Sequence, residues 1–140
     1  MVKDGLIISY LFVLSVFDGK DKTVPIVLLV PGVLAALGFL ICKGLQGEPV
    51  ACVLGLIPGA VFLIVAAVTK KAGMADGIVL GIIGALEGYR AGMLIWGISM
   101  CALSVLAVVL LCCRRVNRDT GVPYIPFLCG GYLIWKVMLG

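Results

Sequence analysis

The sequence predicts an all-α fold: a polytopic membrane helical bundle of six transmembrane helices, built as one domain over residues 1–140. Three observations predict it. The chain is 63% hydrophobic, where a soluble domain carries about 45–50% apolar residues. Only 13% of its residues are charged, roughly half the usual ~25%, which is too few polar groups to cover a water-facing surface. The apolar residues also fall into six runs divided by charged or Gly/Pro-rich punctuation. One crossing takes about 20 residues, so six crossings leave no room for a separate soluble or zinc-binding domain.

Taken in order, the runs are Gly5–Phe17, Pro25–Cys42, Val50–Val68, Gly77–Leu86, Met93–Cys113 and Tyr124–Leu139. The first has no small-residue cleavage pattern and is followed directly by Asp18, so it reads as a span and not as a signal peptide. The first, fourth and sixth runs are short for a full crossing and call for flanking residues or a locally thinned bilayer. Six spans put both termini on one side. Lys20, Lys22, Lys70, Lys71, Arg114, Arg115 and Arg118 lie in the odd loops, against Lys3, Lys43, Arg90 and Lys136 opposite. Positive charge marks the cytoplasmic side, so the expected topology is N-out and C-out.

Histidine is absent. That excludes a Ser-His-Asp triad, a Cys-His pair and any histidine-ligated metal. None of the six cysteines (Cys42, Cys52, Cys101, Cys112, Cys113 and Cys129) forms a C-x-x-C pair, so no zinc site is expected and they read as small packing residues. Glycines recur at four-residue spacing in Gly55/Gly59, Gly73/Gly77/Gly81 and Gly84/Gly88/Gly92. Such spacing lets helix backbones approach closely where lipid gives no hydrophobic drive for association. The Gly55 pair reads as packing alone, whereas those of the fourth run surround an aspartate.

Of the seven carboxylates, Asp18 and Asp76 adjoin apolar runs directly, one ending the first and one opening the fourth. Alternating spans place these two positions on the same membrane face. An ionisable group there is costly enough to read as a site, although Asp76 also suits a plain helix-start role beside the dipole. Two carboxylates brought together cannot both ionise cheaply, so the pair shares a proton. The ionised member can take a proton from water while the protonated one polarises a carbonyl or protonates a leaving amine. Asp21 and Asp119, set among lysines and arginines, read as solvated loop charge.

Phe17-Asp18-Gly19-Lys20-Asp21-Lys22-Thr23-Val24-Pro25 resembles the first catalytic motif of type IV prepilin peptidases, where an aspartate precedes an Ile-Pro or Val-Pro by six residues. Lys70-Lys71-Ala72-Gly73-Met74-Ala75-Asp76 resembles their second motif, a Gly-x-Gly-Asp box reached through a basic loop. Val122-Pro123-Tyr124-Ile125-Pro126-Phe127-Leu128 is similar to the Ile-Pro-Phe segment that opens their last span. The resemblance implies an aspartic-type endopeptidase of a prokaryotic plasma membrane. It would cut the basic leader from prepilins, pseudopilins or preflagellins on the cytoplasmic side. Asp18 and Asp76 would be the catalytic pair, with Gly73, Ala75, Gly77, Pro25 and Pro126 shaping the site. Expected partners are that substrate and membrane lipid, with no nucleic acid, metal or cofactor.

The chain departs from the family pattern at two places. Ala75 stands where the box has its second glycine, and alanine does not tolerate positive φ as glycine does. Ile26 follows Pro25 where the family often has asparagine. The cytoplasmic insertion with paired C-x-x-C ligands, found in members that also methylate the new N-terminus, is missing, so no methyltransferase activity is expected. Two readings from other classes remain beside this one. The first is a small proton- or cation-coupled transporter using Asp76 and Glu87. The second is a non-catalytic membrane assembly subunit held by glycine contacts.

Overall fold

The computed structural model describes residues 2–21, 25–70, 73–113 and 124–139. These form six α-helices and, among the described residues, no strand: α1 (Val2–Asp21), α2 (Ile26–Leu45), α3 (Pro49–Thr69), α4 (Met74–Glu87), α5 (Tyr89–Cys112) and α6 (Ile125–Met138). Lys22, Lys71, Arg114, Arg115, Arg118 and Asp119 lie outside the described residues, as does the side chain of Asp21.

Each apolar run becomes one helix. The first is longer than its hydropathy suggests, because Lys3 and Asp4 at one end and Asp18–Asp21 at the other stay helical. Its 20 residues reach about 30 Å at 1.5 Å per residue. Helices α4 and α6 remain short at 14 residues each. Three helices, α2, α3 and α5, are long and apolar enough to cross a membrane.

The chain breaks where its residues forbid a continuing helix. Pro25, extended at φ −65°, precedes α2, and Pro49 opens α3, where its missing N–H is no loss. Lys70 ends α3 in a left-handed conformation at φ 54°. Between α4 and α5 stands Gly88 alone, at φ 96°. The expected Gly84/Gly88/Gly92 series is therefore not one helix face. Gly88 reverses the chain, and a Cβ on Gly92 would then stand 3.1 Å from the Gly84 Cα.

Long-range contacts fix the helix directions. Lys3, starting α1, donates to the Leu86 carbonyl at the end of α4 at 2.9 Å. Lys136, ending α6, pairs with Asp4 at 3.0 Å. So α1 runs against both α4 and α6, and the end of α1 shares one end of the bundle with the starts of α4 and α6.

Helix α4 is the centre. Gly77, Val79, Leu80, Ile82, Ile83, Gly84 and Ala85 are all buried, a pattern too broad for one face and proper to a helix enclosed on several sides. It packs against α2, α3 and α5, most extensively α3. There the glycines do the work their spacing predicts: a Cβ on Gly55 would overlap the Gly84 backbone, and one on Gly59 the Gly81 backbone. Helix α6 bridges α1 and α5, with Gly131 pressed against Ser99. Helix α1 meets α2 through Tyr10, whose hydroxyl donates to the Leu28 carbonyl at 2.9 Å and whose ring fills the notch left by Gly32.

The cysteines need a correction. Cys129 is buried, but Cys42, Cys101, Cys112 and Cys113 are exposed on the outside of the bundle. Hydropathy cannot separate a lipid-facing position from a core one, since both are apolar.

Candidate functional site

Asp18 reaches the interior because of its register. Ile7, Leu11 and Leu14 are buried along one stripe of α1 at spacings of four and three, and Asp18 is the next position on it. It is only 6% exposed, and with Ser99 it makes up the buried polar residues of the described chain. Its carboxylate accepts the backbone N–H of Ile125 at 3.2 Å. That N–H is one of the orphan donors at the start of α6. Pro126, next in line, has no N–H to offer, which is how it shapes this end of the helix.

Asp76 sits in the first turn of α4, its backbone N–H donating to the Gly73 carbonyl at 3.2 Å. It is half-buried. A carboxylate there favours the helix dipole. No hydrogen bond to its carboxyl group is present among the described residues. The Asp18 charge nevertheless acts on it, so the two carboxylates are within electrostatic reach at one end of the bundle. In water such an influence fades quickly, and partial burial is what preserves it.

The remaining predicted residues divide by role. Gly73 leaves the space beside Asp76 open, since a Cβ there would stand 3.0 Å from Oδ2. Ala75 lies in the first turn of α4 and does not have positive φ, so alanine in place of glycine carries no backbone strain. Gly77 is not free to receive a ligand. A Cβ on it would run into Leu63, so it belongs to the α3–α4 contact. Pro25 is exposed and its carbonyl accepts the Leu28 N–H at 3.0 Å, starting α2 at this same end.

Two residues near the pair were not singled out by the sequence. Tyr124 is 4% exposed, and its ring stacks on Phe62 of α3 with centroids 5.4 Å apart and planes at 14°. The Asp76 charge reaches it too. Its hydroxyl is buried and has no hydrogen-bond partner among the described residues. Ser99 lies close by, and its hydroxyl donates to the Ile95 carbonyl at 2.6 Å. The signal for Tyr124 was present: a tyrosine set between Pro123 and Pro126, in a motif already noted for its prolines. Phe62 had no signal, being one apolar residue among many in α3.

The opposite end of the bundle holds a separate polar group. Lys3 pairs with Glu87 at 3.4 Å, and the Tyr132 hydroxyl donates to the same carboxylate at 3.4 Å. Lys3 and Lys43 also lie over the Phe39 ring at 5.2 and 5.0 Å. Among the described residues, no three histidine, cysteine or carboxylate side chains gather as metal ligands would. The chain matches no protein-family model, and comparison with curated proteins and with solved structures finds no similar one.

Proposed function

We propose that this protein is a membrane aspartic endopeptidase that removes the leader of type IV prepilins, pseudopilins or preflagellins. In this reading all six helices cross a prokaryotic plasma membrane with both termini outside, and the site faces the cytoplasm. The observation that supports it is that Asp18 and Asp76, 58 positions apart in the chain, lie at the same end of the bundle, where the charge of Asp18 acts on Asp76. The motif resemblance supplies the substrate class.

The chemistry follows from what surrounds each carboxylate. Asp18, with the Ile125 N–H on it, acts as the base, and Asp76, with no such donor among the described residues, carries the proton. Water attacks the scissile carbonyl carbon and gives its proton to Asp18. The carbonyl π electrons move to oxygen, which Asp76 protonates. Collapse of this intermediate returns that proton to Asp76 and breaks the C–N bond, while Asp18 delivers its proton to the departing amine. One water is consumed, and both carboxyls end as they began. The substrate's apolar helix lies against the bundle from the lipid side, and its scissile segment unwinds to reach the pair.

The transporter reading draws less support. Asp76 and Glu87 stand at opposite ends of α4, about 16 Å apart along its axis, and Glu87 is already paired with Lys3. The test is direct. Detergent-solubilised protein is incubated with a prepilin and the shortened product sought. Cleavage lost in both Asp18→Asn and Asp76→Asn is the expected result. Robust processing by either variant would remove the dyad.

A further inference from the structure

The aspartate pair accounts for the water and for the proton on the carbonyl oxygen, but leaves a third buried polar group unused. The Tyr124 hydroxyl is enclosed, has no hydrogen-bond partner among the described residues and lies within reach of the Asp76 charge. Leaving a buried hydroxyl unpaired is costly, so such a group in a native fold calls for an explanation. Ser99 lies nearby and donates to the Ile95 carbonyl, but it makes no bond of hydrogen-bonding geometry with the Tyr124 hydroxyl.

The ring, by contrast, is firmly held. It stacks on Phe62, and its backbone carbonyl accepts the N–H groups of Phe127 and Leu128 at 2.9 and 3.0 Å. The next residue, Ile125, is the one bonded to Asp18. Tyr124 is thus anchored through the same helix start that holds the base, and its ring rests on Phe62, the neighbour in α3 of the Leu63 that packs against Gly77 beside Asp76. A rigid donor awaiting an acceptor is the arrangement that stabilises developing negative charge, because no reorganisation is needed when the charge appears.

We propose that Tyr124 is a third catalytic residue, donating its phenolic hydrogen bond to the scissile carbonyl oxygen as that oxygen gains charge. The proposal rests on the peptidase reading above. It places the substrate carbonyl between the Asp76 carboxyl and the Tyr124 hydroxyl, on the α3/α6 side of the site.

Tyr124→Phe removes the hydroxyl and keeps the ring on Phe62. With a prepilin as substrate, kcat should fall on the order of 10²-fold, as when one oxyanion donor is lost, with KM little changed. Thermal unfolding of the same variant in detergent should stay level or rise, because a buried unpaired hydroxyl has been removed. Wild-type kcat in the variant would overturn the proposal, as would a higher KM at unchanged kcat. A clear drop in unfolding temperature would also overturn it, since the hydroxyl would then be bonded within the fold. The two readings fail differently. A wild-type protein that cleaves no prepilin removes the peptidase and Tyr124 together. An active wild type silenced by Asp18→Asn and Asp76→Asn, but not by Tyr124→Phe, removes Tyr124 alone.

Discussion

Asp18 and Ile125 are 107 residues apart, yet the carboxylate of one accepts the backbone N–H of the other at 3.2 Å. This contact joins the end of α1 to the start of α6. It gives Asp18 a structural task as well as a proposed chemical one. The two tasks can be pulled apart.

Asp18→Asn keeps an oxygen for the Ile125 N–H, whereas Asp18→Ala leaves that N–H without a partner. Both variants should be inactive. Asp18→Ala should in addition lose about 1–3 kcal/mol of stability, the cost of an unpaired buried donor. Chemical unfolding in detergent, run beside the cleavage assay, measures both effects.

Among the described residues, the Asp76 side chain has no comparable structural bond. Its place in the first turn of α4 would gain only about 0.3–1 kcal/mol from the helix dipole even if charged, and less with the proton it carries in the proposed mechanism, so Asp76→Asn should unfold close to wild type. Loss of cleavage with the fold intact is the expected pairing. Equal destabilisation of Asp18→Ala and Asp76→Asn would contradict the asymmetry seen here.

The α3–α4 contact should not tolerate an added carbon at Gly84. Gly84→Ala sets a methyl group against the Gly55 backbone, and overpacking of this kind costs about 1–3 kcal/mol. Gly38 and Gly44 of α2 have open space around them, so alanine at either should leave the unfolding midpoint almost unchanged. Thermal melts of the three variants check the contrast.

Gly88 is the whole connection between α4 and α5, and its φ of 96° suits glycine alone. Gly88→Ala should cost roughly 1–3 kcal/mol as backbone strain, although nothing crowds the position. A melt as low as that of Gly84→Ala, without any steric contact, is the expected outcome.

Glu87 separates the peptidase from the transporter. It lies at the end of the bundle away from Asp18 and pairs with Lys3 and Tyr132. Glu87→Gln should leave prepilin cleavage within a few-fold of wild type. A loss as large as that of Asp76→Asn would show that both ends of α4 serve one function.

Much of this was legible in the sequence because hydropathy and chain breakers act locally. Six apolar runs became six helices, and Pro25, Pro49, Lys70 and Gly88 stand at their ends. Alternation of direction placed Asp18 and Asp76 at one end, and the Gly55/Gly59 spacing marked a close helix contact. These features depend on residues within one or two turns of each other, or on counting helices. The tertiary structure decided what faces what. It turned Asp18 inward on the Ile7–Leu11–Leu14 stripe and onto the N–H of Ile125. It assigned Gly77 to Leu63, left four cysteines on the outside, and closed Tyr124 over Phe62 with its hydroxyl unpaired among the described residues. In an apolar chain the lipid-facing and core-facing surfaces are alike in composition, so only packing between distant helices distinguishes them.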